Sequence, residues 1–117
     1  MSGCSGGMNL YLTNVSGGPM TLQNVVASYY APGVMHVVPS SASAQLVAWA
    51  YGWDPAGTIS YNLNDGVVLN IVYTGGSIDE INATFTPSSQ DNWEADKSVI
   101  YENCLLITVK PPGGDAR

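Results

Sequence analysis

Apolar and polar residues alternate with a period of two along much of the chain, as in strands that bury one face. Met8, Leu10 and Leu12 alternate with Asn9, Tyr11 and Thr13. Ser16-Gly17-Gly18-Pro19 ends this run, because glycine supplies positive φ and proline lacks a ladder donor. Met20 to Tyr30 resumes with Leu22, Val25, Val26, Tyr29 and Tyr30. That run is too long for one flat strand, so a bulge or bend is expected. Ala31-Pro32-Gly33 turns the chain, and Val34 to Val38 predicts a short strand before Pro39. Ser43 to Tyr51 has helix-forming residues in Ala44, Leu46, Ala48 and Ala50. Its short length between Pro39 and Gly52 favours a strand.

The clearest signal follows. Ile59, Tyr61 and Leu63 alternate with Thr58, Ser60 and Asn62, and Asn64-Asp65-Gly66 leads into Val67 to Tyr73. Two β-rich runs joined by an Asp-Gly turn predict a hairpin. The second run is almost continuously apolar, as an inner strand would be. Gly75 to Gln90 reads as loop with a short strand at Ala83 to Thr86, and Asp91 to Asp96 as an acidic loop. Ser98 to Tyr101 and Leu105 to Lys110 are the last predicted strands, with Glu102-Asn103 as the bend. No capped 3.6-residue period and no internal repeat is found. The prediction is an all-β fold, an antiparallel β-sandwich of about eight or more short strands. It forms one domain over 1–117, with 1–7 and 111–117 as tails.

Composition narrows the function. Charged residues make up 10% of the 117 residues, against about 25% in ordinary domains. Nine acids face three bases, Lys97, Lys110 and Arg117, so residues 1–96 contain no Lys or Arg. Phosphate recognition needs clustered Lys and Arg, which excludes nucleic acid and a polybasic anchor on anionic lipid. The N-terminus lacks a basic n-region and an apolar h-region, so a leaderless chain made in the cytoplasm is expected. Cys4 and Cys104 are accordingly read as free thiols. The sequons at Asn14 and Asn82 are read as chance matches.

Catalytic chemistry finds little support. His36 is the one histidine, and no G-x-S-x-G elbow occurs. Asp91, Glu94 and Asp96 supply hard oxygen donors, but the run lacks the glycine and distal Glu of a calcium loop. The expectation is no enzyme, no metal and no cofactor. Aromatic residues say more. Three Trp and seven Tyr stand beside one Phe, and rings with a polar tip suit a wet interface. Trp53 and Trp93 on predicted loops, with Tyr29, Tyr30 and Tyr51 at predicted strand ends, are the expected membrane or ligand contacts. Trp49 and Tyr61 are assigned to the core.

Asn14-Val15-Ser16-Gly17 at the end of the first strand resembles the N-x-[ST]-G step of the aegerolysin family. The apolar run Gln45 to Ala50, Gly57-Thr58-Ile59-Ser60-Tyr61, the Asn64-Asp65-Gly66 hairpin, the strand Val67 to Tyr73 and the closing Leu106-Ile107-Thr108-Val109 extend the likeness over 8–110. The small single-domain bacterial insecticidal members are the most similar. Actinoporin-like cytolysins share a looser pattern over Gly57 to Tyr73. Where many members carry an acidic segment with Pro and Trp, this chain has Thr74-Gly75-Gly76-Ser77. The resemblance implies a sandwich that binds a membrane lipid or receptor outside the producing cell, often with a larger pore-forming partner. Homo-oligomers are a further expected partner state, and a carbohydrate-binding lectin-like module is the alternative reading.

Overall fold

The computed structural model describes residues 8–27, 35–49, 56–63, 66–74, 80–86, 93–101 and 103–111. A four-stranded sheet contains β1 (Met8–Asn14), β4 (Ser43–Trp49), β8 (Glu94–Tyr101) and β9 (Cys104–Lys110), in the order β4-β1-β9-β8. A five-stranded sheet contains β2 (Met20–Ala27), β3 (Val37–Val38), β5 (Ala56–Asn62), β6 (Val68–Thr74) and β7 (Ile81–Thr86), in the order β3-β2-β5-β6-β7. The fold is all-β, and the two sheets pack as the expected sandwich. Every strand pairing is antiparallel except β1 with β9. Among the described residues, no helix is long and apolar enough to cross a membrane.

Alternation places the core. Leu10, Leu12, Leu46, Leu105 and Ile107 face inward from one sheet, and Met20, Ile59, Tyr61, Leu69, Ile71 and Tyr73 from the other. The expected bulge in the long second run falls between Leu22 and Asn24. The β5–β6 hairpin pairs without a register shift, and Gly66 sits in its turn at φ +83°, a conformation costly for a side-chain-bearing residue. The segment read as an acidic loop is in part strand, since β8 begins at Glu94.

One end of the sandwich is tied by a buried amide. Asn14 is fully buried at the end of β1. Its Nδ2 donates to the Gly18 carbonyl at 2.9 Å and to the Val38 carbonyl at 2.8 Å. Its Oδ1 accepts from the Ser16 N–H at 3.0 Å and from the Ser16 hydroxyl at 2.6 Å. Its backbone N–H donates to the Ala42 carbonyl, and its carbonyl accepts from the Ser41 N–H at 2.6 Å. One residue thus joins β1, the β1–β2 turn, β3 and the β3–β4 turn. It also holds Ser41 at φ 66°, which is strained for a residue with a side chain.

Cys104 is buried and disulfide-bonded, and Cys4 is the other cysteine of the sequence. The expectation of free thiols is therefore corrected. Distance along the sequence is a poor guide here, because parallel pairing sets Asn9 opposite Cys104 and the Asn9 N–H donates to the Asn103 carbonyl.

Two core phenols carry a pH signature. Burial pushes Tyr61 and Tyr73 up from 10.0 to about 12. The unfolded chain releases these protons first, so the stability they contribute is intact below pH 10 and is lost between pH 10 and about 12. Equilibrium unfolding followed across that window is expected to show the fall, and a flat profile would contradict the burial. Asn14→Ala strands several buried backbone groups at once. It is expected to cost about 2 to 4 kcal/mol in urea unfolding, and a loss under about 1 kcal/mol would refute the tie.

Candidate functional site

Register defines the two ends of the sandwich. At the tied end lie the β1–β2 and β3–β4 turns, the β5–β6 turn and the pairings Asn62↔Val68 and Glu94↔Lys110. At the opposite end lie Met8↔Trp49, Ala27↔Gly57, Ala56↔Thr74, Tyr73↔Ile81 and Tyr101↔Cys104. The connections between β2 and β3, β4 and β5, and β6 and β7 leave from strand ends at that opposite end, and the β7–β8 connection leaves from the tied end.

Of the expected contact residues, Trp53, Tyr29, Tyr30 and Tyr51 lie outside the described residues. The strand ends that lead into their segments, Ala27, Trp49 and Ala56, all belong to the opposite end. Trp93 is described, and it does not project from a loop. It is 9% exposed, belongs to the core cluster, and its ring lies 6.3 Å from that of Phe85 on β7. The expectation of an outward Trp93 is corrected for a simple reason. The open seam between edge strands β7 and β8 needs an apolar plug, and Trp93 sits directly before β8. Lys97 closes the same seam further along, its Nζ donating to the Ile81 carbonyl at 3.1 Å. Tyr61, assigned to the core, is buried there, and its hydroxyl donates to the Met35 carbonyl at 3.0 Å.

The opposite end exposes apolar side chains that sequence reasoning missed. Val26 near the end of β2 is 63% exposed, and Val99 and Tyr101 at the end of β8 are 60% and 57% exposed. Val99 follows Ala95 and Lys97 on the core-side parity of β8, yet it stays open to solvent. A register shift between Val99 and Tyr101 marks the place where the strand departs from regular pairing. The available signal was the run Val99-Ile100-Tyr101 ending a strand that opens Glu94-Ala95-Asp96-Lys97-Ser98.

The outer face of the five-stranded sheet is a second feature. No strand of that sheet contains Asp, Glu, Lys or Arg. Its outward residues are Thr, Ser, Asn and Val, and polar bonds cross the strands. The Ser60 hydroxyl donates to Asn70 Oδ1 at 3.0 Å, and Asn70 Nδ2 donates to Thr86 Oγ1 at 2.9 Å. Charged groups of the described strands sit instead on β8 and β9, where Lys110 bonds Asp96 at 2.5 Å. That partner raises the Lys110 ammonium above its usual range. Asp96 is therefore already engaged by a cation, while Asp91 of the same acidic run lies outside the described residues. Among the described residues, no group of three or more acidic, His or Cys side chains is placed to hold a metal. His36 is exposed on a bend, and its backbone carbonyl accepts from the Leu22 N–H. The Asn14 sequon is closed to glycan in the folded protein, because both Nδ2 protons are used internally.

No protein-family model and no curated protein matches the chain.

Trp93→Ala removes the plug between β7 and β8. An unfolding loss of about 3 to 5 kcal/mol is expected, the range for deleting a large buried aromatic. Denaturant titration decides: a loss near zero would return Trp93 to the set of surface contacts.

Proposed function

We propose that the protein is a non-enzymatic membrane-targeting module of aegerolysin type, a toxin or toxin component that meets a lipid or membrane receptor with one end of its sandwich. The supporting observation is the gathering at one end of exposed Val26, Val99 and Tyr101 with the strand ends leading into the Tyr- and Trp-bearing segments. Apolar side chains beside tyrosine and tryptophan match the headgroup layer, which is apolar on one side and wet on the other. The disulfide at Cys104 fits a protein that works in an oxidising setting outside the cytoplasm.

Magnitudes limit what the described contacts achieve. Burying three already half-covered side chains stabilises binding by roughly 1 kcal/mol each. A micromolar complex needs about 8 kcal/mol. The remainder must come from the adjoining segments, from specific headgroup hydrogen bonds, or from a larger pore-forming partner that supplies a second contact. A net charge of −6 repels anionic lipid, so the target is a zwitterionic lipid, a sterol-containing phase or a glycosylated receptor.

A second reading, a carbohydrate-binding lectin-like module, is favoured by the uncharged Ser60–Asn70–Thr86 row on the five-stranded sheet. Vesicle co-sedimentation separates the two. Wild-type protein is expected to partition to zwitterionic and sterol-containing vesicles more than to anionic ones. Val99→Asp with Tyr101→Ser is expected to weaken that partition at least about tenfold, roughly 1.4 kcal/mol, leaving the thermal midpoint unchanged. Failure on every lipid and on insect gut membranes, with signal on a glycan array that Asn70→Ala abolishes, would replace the membrane reading with the lectin one.

A further inference from the structure

We infer that β7 is an interface between two copies of this chain, which pair antiparallel along their β7 edges about a two-fold axis at Ala83. The inference is independent of the membrane reading. It begins with the four sheet edges. Edge strand β3 has two residues. Edge strand β4 is interrupted by a register shift against β1. Edge strand β8 carries Glu94, Asp96 and Lys97 and a register shift of its own. Short length, bulges and charge are the devices that keep edges from pairing. By contrast β7 has six residues, no charge, no proline and an unbroken register with β6.

The orientation of its backbone groups follows from one bond. Lys97 Nζ reaches the Ile81 carbonyl from the seam, so Ile81 presents its backbone groups to the open edge. Antiparallel strands alternate in this respect, which places the N–H and C=O of Ala83 and Phe85 on the same open side. Asn82, Thr84 and Thr86 are turned toward β6.

A second copy matches this edge by symmetry. In the register that sets Ala83 on Ala83, the two Ala83 residues exchange both backbone hydrogen bonds. Ile81 then faces Phe85 of the copy on the core side, and Asn82 faces Thr84 on the outer side. The side chains of β7 that meet are all uncharged, the Lys97 ammonium at the Ile81 carbonyl being the one charge on the edge among the described residues, and the Ser60–Asn70–Thr86 row continues across the axis. Charge explains why this route is open although each chain carries −6. The flanking Glu80 residues fall at opposite ends of the new strand pair, about 20 Å apart at roughly 3.4 Å per residue, well over twice the screening length of about 8 Å in physiological salt. The Ile81 carbonyl keeps a second lone pair for the copy while Lys97 holds the first.

Sedimentation equilibrium of the full, disulfide-bonded chain tests the interface with two variants. Ala83→Pro removes an edge-facing N–H without touching the bonds to β6. Asn82→Asp with Thr84→Asp sets like charges directly opposite each other in the dimer while both sites remain exposed in the monomer. Wild-type protein is expected to show a concentration-dependent species of twice the 12.3 kDa chain mass. Each folded variant is expected to associate at least about tenfold more weakly. Should Ala83→Pro fail to fold, the double aspartate variant decides alone. A wild-type chain that stays monomeric up to about 1 mM, the weak end of the affinity scale, overturns the inference. So does a dimer that survives either folded variant.

Discussion

A single buried amide sets the asymmetry of this molecule. Asn14 satisfies two carbonyls, a backbone N–H and a hydroxyl with its side chain, while its backbone groups bond the β3–β4 turn. A buried amide of this kind is stabilising only when all its groups are matched. Matching them requires the two turns, β1 and β3 to arrive at one point. The end of the sandwich where they meet is therefore fixed, and sequence freedom is displaced to the other end. The β2–β3, β4–β5 and β6–β7 connections sit there with exposed Val26, Val99 and Tyr101.

Much of the fold was legible because one-sided burial writes itself as alternation. Ile59, Tyr61 and Leu63 on β5, and the Asp-Gly turn before β6, were readable because both the period and the turn chemistry are local. Length arbitrated correctly for Ser43–Trp49 against its helical composition. Pairing across long sequence distance was not legible. The parallel contact of β1 with β9 joins the two ends of the chain, and with it comes the cystine at Cys104 that redox reasoning argued against.

The candidate site was legible only as a region. Turn residues reveal where connections fall: the strand ends leading to Tyr29, Tyr30, Tyr51 and Trp53 lie at one end, and Trp93 precedes β8 at the other. They do not reveal whether a ring near a strand turns outward or caps an open seam. Trp93 shows the difference. Its neighbours Asp91 and Glu94 look solvated, but the gap between β7 and β8 exposes apolar core unless something large fills it, and the indole does so against Phe85. Val99 shows the converse, since a core-side parity on an edge strand guarantees burial only where the facing sheet extends far enough to cover it.

Charge placement connects these observations. A chain this poor in charge cannot protect every surface with it. The described strand charges are spent on β8 and β9, where Lys97 spans the seam and Lys110 holds Asp96. The five-stranded sheet is left with hydroxyls and amides that bond to one another across strands. Such a face presents neither the repulsion that keeps a soluble surface apart from its neighbours nor the apolar area that would collapse it. It is therefore suited to contacts formed through backbone edges and short polar side chains, where shape and hydrogen-bond register decide the partner and long-range attraction does not. The apolar end of the sandwich works by the opposite rule, through area removed from water. Two copies joined antiparallel along β7 point their apolar ends in opposite directions, so the edge contact and the apolar-end contact act on separate partners.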